Sequence, residues 1–492
     1  MPYRLPTPAL AALAAASCIL SPGAPARAAA PAADNPAVAA DPCPPSLPAN
    51  WRCLRVIVPQ DYAAPEAGTA EVRVVVAPAT RPKPKPEAVF LIQGGPGVSG
   101  TAVAGAGFVA SIGALQANHD LVVVDERQVS GPDALTCPPS GPPEKFSTWG
   151  EDVFSQGHLK ACLTRSAPRA GLATLTTETF ARDLESVRAA LGYDGLKFYA
   201  ANHGGRIVQA YMRRFPGRTR AAVLADTGPM DEPIAWSSAR WTLRAVKATL
   251  AACGADATCR AAYPHVQAEF DALMARADSP GLEASIAHDG VTETVVFDRA
   301  TVLAFFGAHF HFMRDVAAIP FEVHELASRD PGRVAAVAGN IAAYQKALFS
   351  RLALGVWMSV ECAEEAPLMG ARLARGERPE TGRAADIVAV CETWPHGTPP
   401  ADFHDPVRSD APVLLLASPL EPSYPAELAA RAARGFSHVR IVVDANHGHV
   451  FDDDWQMCLG PEAVGFLESL DLAAVDARCA ARFRFRPFRL PR

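Results

Sequence analysis

The sequence has no excess of positive charge: 46 Lys and Arg stand against 52 Asp and Glu, a formal net charge of -6 over 492 residues. That excludes a nucleic-acid binder held by counterion release and leaves a peptide or a small amide as the expected partner. No apolar run near the start is long enough to span a bilayer, so no stable membrane insertion is expected. There is no internal repeat. None of the 11 cysteines has the paired C-x-x-C spacing of a zinc site, and the reading calls for no metal and no cofactor. The oligomeric state is not written in the sequence.

What is present begins with residues 1–28, where Arg4, a short apolar stretch and the triplet Ala26-Arg27-Ala28 have the order of an export signal. The mature chain is expected to start near Ala29. A rival reading takes Ala-Ala-Ser-Cys, ending at Cys18, as a lipoprotein attachment site, although the position three before that cysteine is Ala15 rather than a larger apolar residue. Setting Cys18 aside leaves ten cysteines that fall as near neighbours: Cys43 and Cys53, Cys137 and Cys162, Cys253 and Cys259, Cys362 and Cys391, Cys458 and Cys479. Short-range disulfides of this kind suit an oxidising compartment, periplasmic or secreted.

"LRVIVPQDY" and "AEVRVVVAPA" read as a hairpin. "AVFLIQGGPG", "HDLVVVDERQ", "LKFYAANHGG" and "TRAAVLADTGP" are apolar runs of the kind that form buried parallel strands. "ETFARDLESVRAALG" and "GRIVQAYMRRFPG" carry helical spacing between them, so the fold class is α/β. The pattern predicts a core over 29–230, an inserted and mainly helical cap over 231–405, and a return to the core over 406–480 with "APVLLLASPLEP" and "VRIVVDANHGHV". A basic-aromatic tail follows over 481–492. The tail alternates Arg482, Arg484 and Arg486 with Phe483 and Phe485, a pattern open to an edge strand, a membrane-surface contact or a flexible terminus.

The chemistry centres on "YAANHGG", residues 199–205. In α/β-hydrolases a nucleophile sits on a tight G-x-S-x-G turn between strand and helix, and an acid and a histidine follow later in the chain. Here the strand, turn and helix are expected around Asn202, Glu421 ends the next-to-last strand, and His447 and His449 end the last.

The chain resembles the exported branch of the proline iminopeptidase and tripeptidyl aminopeptidase family of α/β-hydrolases. "QGGPGVSG" is similar to that family's oxyanion-loop motif, "VVVDERQVSGPDALTC" to its DQRGxGxS segment, and "APVLLLASPLEPSYP" to its acid-bearing strand. The resemblance implies an α/β-hydrolase fold with Asn202 at the nucleophile, Glu421 as the acid and His447 as the base; His449, like most single histidines, reads as structural. It also implies oxyanion donors from Gly94, Gly95, Gly97 and His203, and a cap carboxylate, Glu364, that holds a substrate's free amino group. Glu361, Glu364 and Glu365 read equally as a solvated charge run.

An asparagine amide has no proton that a histidine can remove to make a competent nucleophile, so serine-hydrolase activity is expected to be lost or impaired. Ala200, Ala201, His203 and Gln128 also depart from the family pattern. Open alternatives are a hydrolase using another group, such as Ser99 or an aspartate formed from Asn202, a proton-transfer pair of His447 and Glu421, and an inert scaffold.

Overall fold

The computed structural model of the protein describes residues 36–491, apart from 83, 104–108, 140, 167–170, 289–290, 329, 445 and 450–452. The expected leader, Cys18 and Ala29 lie outside the described residues.

Eleven strands are present among the described residues: β1 (Val38–Ala40), β2 (Arg52–Pro59), β3 (Thr69–Ala77), β4 (Glu87–Ile92), β5 (Leu121–Val124), β6 (Gly195–Ala201), β7 (Thr219–Ala225), β8 (Leu282–His288), β9 (Val291–Phe297), β10 (Val413–Ala417) and β11 (Val439–Val443). Nine form one sheet in the order β1-β2-β3-β5-β4-β6-β7-β10-β11. The pairs from β5 through β11 are parallel and those among β1, β2, β3 and β5 antiparallel. The crossover between β3, β5 and β4 gives the α/β-hydrolase order.

The central strands are mostly apolar because both of their faces are covered, with the buried Lys197 of β6 an exception. Successive side chains point to opposite faces. Phe90, Ile92 and Phe198 therefore join one apolar layer, with Phe180, Leu184 and Ile207. Leu91, Tyr199 and Ala201 join the other, with Phe466 and Leu467 of the helix Asp453–Ser469. The helix Thr177–Leu191 starts where the Thr176 hydroxyl accepts from Thr179 N and stops at Gly192, φ 78°. Its buried Phe180, Leu184 and Val187 recur at helical spacing, each contributing about 1.5–3 kcal/mol by burial.

Register decides what meets at the sheet's carboxyl edge. Ile92 pairs with Ala200, Ala201 with Ala225, Ala225 with Leu416, and Ala417 with Val443. The loops that leave this row carry Gly94 to Gly97, Asn202, Asp226, Glu421 and the 446–449 turn.

Between β7 and β10 run helices from Ile234–Ala255 to Arg383–Cys391, together with the hairpin β8–β9. The five expected cysteine pairs are all disulfides. No described helix is long and apolar enough to cross a membrane.

The tail is neither an edge strand nor loose. Arg489 N donates to Ala317 O (2.9 Å), and Tyr263 Oη donates to Arg489 O (2.7 Å). Phe485 and Phe488 stack and pack on the core. These contacts dock the tail on the cap: Phe485 and Phe488 are half-buried, and the Arg489 guanidinium covers Phe321.

Candidate active site

β6 ends at Ala201 and the helix His203–Arg214 begins at His203, leaving one residue, Asn202, to make the turn. Its φ of 48° and ψ of -121° lie outside the regions that side-chain-bearing residues ordinarily occupy, at a cost on the order of 1–3 kcal/mol. Four hydrogen bonds hold it there. Asn202 N donates to Ala225 O (3.0 Å), Gly205 N and Thr227 Oγ1 donate to Asn202 O (3.0 and 2.9 Å), and Asn202 Nδ2 donates to Asp226 O (3.2 Å). The turn also needs small neighbours. A Cβ on Gly94 would lie 2.7 Å from Asn202 Cβ, and one on Gly205 would collide with Thr227.

The acid and histidine loops meet differently from the expectation. Glu421 Oε2 is 2.9 Å from Nδ1 of His449. The cap explains the choice. His449 N donates to Phe310 O (2.6 Å), and Gly448 passes so close to Phe310 that no side chain fits there, which pins the His449 end of the turn beneath the cap. The His447 carbonyl accepts from Ser418 Oγ, and its ring lies against Phe483 of the tail, 5.4 Å between centroids. Glu421 is thus paired with His449, two residues beyond His447.

A residue that the sequence reading passed over completes this group. Asp226, directly after β7 and at φ 45°, brings Oδ2 to 3.2 Å from His449 Nδ1. Burial would lower the His449 pKa, but the Glu421 and Asp226 carboxylates outweigh it and lift it to about 10. Burial likewise would raise Glu421, and the His449 charge and hydrogen bond overcome it, holding the carboxyl below its ordinary range. Ser423 N fixes the other carboxylate oxygen of Glu421 (2.9 Å). At neutral pH His449 is thus a buried imidazolium between two carboxylates, a better acid than base. The cap residue His311 stacks edge-on against it, 4.6 Å between ring centroids. A sequence signal for Asp226 existed: an acid at the carboxyl end of the strand beside the elbow strand.

Of the expected oxyanion donors, Gly97 is engaged elsewhere, its N–H donating to Glu126 Oε2 (3.2 Å). Gly94 lies against Asn202, Gly95 follows it at φ 147°, and His203 opens a helix, where its N–H has no intrahelical acceptor. Ser99, the substitute nucleophile considered above, is buried with its hydroxyl donating to Asp125 Oδ2 (2.8 Å), in a knot with Thr101 and Ser130.

The three cap glutamates are buried rather than solvated. Glu364 accepts from Thr177 N (2.6 Å) and Thr177 Oγ1 (2.8 Å) at the start of a helix, where a carboxylate is favoured. Thr177 Oγ1 lies 3.4 Å from His203 Nε2, which links this carboxylate to the elbow. Glu365 pairs with Arg206 and accepts from Ile234 N (2.6 Å). Glu361 and Glu126 each keep a buried carboxylate oxygen without a hydrogen-bond partner. Burial pushes Glu126 up to about 8 and Glu364 up to about 7, and burial together with the Glu365 charge raises Glu361. Glu361, Glu364 and Glu365 thus share the Arg206 guanidinium, with Glu126 close enough to Glu364 for their charges to repel, and a further cation would be welcome among them.

This has a consequence for stability. Glu364 and Glu126 hold protons more tightly folded than unfolded, so the folded state is the more protonated from the ordinary 4.5 up to about 7 and about 8. The corresponding stability is full below the unfolded pKa and is lost as pH rises through the folded one. The melting temperature is expected to fall between pH about 5 and about 8, with Glu364 responsible for on the order of 1–3 kcal/mol of the change. Melting curves of the wild type and Glu364→Gln across that range check it, and the variant should show the shallower decline.

The sheet order, the positive-φ turn after β6, and the acid and histidine loops that follow in sequence define an α/β-hydrolase fold with its elbow in place. The TAP-like protein family matches residues 379–479, a stretch that carries Glu421, His447 and His449 but not the elbow. The chain is 30% identical over 200 residues to the serine protease Hip1 of Mycobacterium tuberculosis, a match that spans 38% of this chain and 38% of Hip1. It is 27% identical over 195 residues to a tripeptidyl aminopeptidase of Streptomyces coelicolor, spanning 36% of this chain and 35% of that protein. Among solved structures, the proline iminopeptidase of Mycobacterium smegmatis aligns with a TM-score of 0.34 at 16% identity, covering 85% of this chain and 99% of that one.

Proposed function

We propose that the protein is an exported α/β-hydrolase-fold relative of the tripeptidyl aminopeptidases, retained for binding a peptide amino terminus or a small amide, with serine-peptidase chemistry lost or impaired. The observation that carries this reading is Asn202 itself: the turn keeps the strained backbone and close glycine packing of a nucleophile elbow, while its side chain is an amide that cannot attack. The five disulfides support export. Turnover of proline and tripeptide anilides by purified protein tests it. The reading expects no enzyme-level rate and fails if one is found.

The ligand's ammonium group is assigned to the buried glutamates beside the elbow, with Glu364 as the contributing charge. Peptides with a free amino terminus should raise the melting temperature, and their acetylated counterparts should not. Glu364→Gln should weaken such a peptide by about 1.5–3 kcal/mol, the range for a hydrogen bond to a charged group. Calorimetric titration gives the number, and unchanged affinity returns Glu364 to a purely structural role at the helix start.

A further inference from the structure

The elbow backbone does something to an asparagine that it would not do to a serine. About the Cα–C bond, the tetrahedral Cα places Cβ a third of a turn from N. At ψ -121° the Cβ of Asn202 therefore nearly eclipses the backbone nitrogen of His203. A five-membered ring through Cα, Cβ, Cγ and the following backbone nitrogen requires that eclipsed arrangement. Asparagines in ordinary helices or strands have ψ near about -42° or +135° and must rotate the backbone to reach it. The four hydrogen bonds around the turn hold it in place here. The groups beside the turn are placed as follows. The His203 N–H, at the first position of its helix, has no intrahelical carbonyl to satisfy. The amide Nδ2 is held by Asp226 O, and Oδ1 is directed at Gly94, where an added Cβ would meet it at 2.9 Å.

We propose that Asn202 is a self-modification site, at which the His203 backbone nitrogen attacks Cγ to form a succinimide that water then opens. In the first step the N–Cγ bond forms, the Cγ–Nδ2 bond breaks, and Nδ2 leaves as ammonia with the proton that His203 N had carried. In the second, water adds across one C–N bond of the imide, hydroxyl to carbon and proton to nitrogen. The product is an aspartate, or an isoaspartate whose chain runs through Cγ. The sum is asparagine plus water giving aspartate plus ammonia, with no oxidant or co-reactant. The aspartate form places a carboxylate, a competent nucleophile, where the amide offers none. This inference goes beyond the binding function proposed above, since the ring closes without any ligand, and its failure leaves that reading untouched.

The test is peptide mass spectrometry of the full purified protein held at mildly alkaline pH. One sample is folded and a second is unfolded in urea, with hydroxylamine added to aliquots to trap the imide. The peptide containing position 202 should first lose the mass of ammonia and then appear as aspartate and isoaspartate. Conversion should be at least ~tenfold faster folded than unfolded, since the fold supplies the orientation. Asn202→Gln, whose ring would be six-membered, should stay unconverted over the same period. Conversion no faster in the folded protein would overturn the proposal. So would persistence of asparagine at position 202 while other asparagines convert, or aspartate appearing with neither trapped imide nor isoaspartate.

Discussion

Asn202→Ser protein hydrolyses amino-terminal anilides and esters roughly 10²–10⁴-fold faster than the natural chain, the largest gain expected from any single change. Removing a triad nucleophile costs on the order of a millionfold in rate, about 8 kcal/mol, while the surrounding donors and binding groups retain roughly a thousandfold over water. Here the turn, the glycines beside it and an acid–histidine pair are already built, so the missing hydroxyl is the largest single deficit. Restoration is incomplete for a stated reason. His449 must be neutral to accept the serine proton, and Glu421 with Asp226 lifts its pKa to about 10. The rate should therefore climb with pH towards that value. Adding Asp226→Asn removes one of the two carboxylates and should move the rise to lower pH. Asparagine is also among the residues best tolerated at the φ of 45° found there. A pH–rate profile of the single and double variants measures both effects.

In the Asn202→Ser background, His449→Gln should abolish the gain, a loss of about 10³-fold or more, whereas His447→Gln should change the rate less than about tenfold. The asymmetry follows from contacts. His449 lies within hydrogen-bond reach of Glu421, and His447 packs its ring on Phe483. Steady-state kinetics of the two double variants decides between them. The reverse order of effects would return the base to His447 and require the 446–449 turn to rearrange when substrate binds.

The elbow was legible because it is a local feature: an apolar strand, one turn residue and small neighbours in a row. The five disulfides were legible from proximity along the chain. The histidine was not, because Asn446-His447-Gly448-His449 offers two imidazoles two residues apart, and what selects between them is Phe310, more than a hundred residues earlier in the chain and pressed onto Gly448 from the cap. Asp226 was passed over because an aspartate after a strand reads equally well as a turn residue. Its neighbours are set by the pairing of β7 with β6 and β10, which only the register reveals. The hairpin β8–β9 carried a readable signal, since Leu282, Ala284 and Ile286 are buried at a period of two, but it sat within a long helical stretch that dominated the reading. The tail's Arg/Phe alternation fits a strand, and it is docking on the cap that determines its conformation.

The most direct test of the central claim, that the elbow is present and its nucleophile absent, is intact mass after incubation with a serine-reactive phosphonate. The natural protein should gain nothing, and Asn202→Ser should gain one adduct, mapped to position 202. An adduct on Ser99 or any other serine of the natural protein, together with turnover of an amino-terminal anilide, would contradict the account.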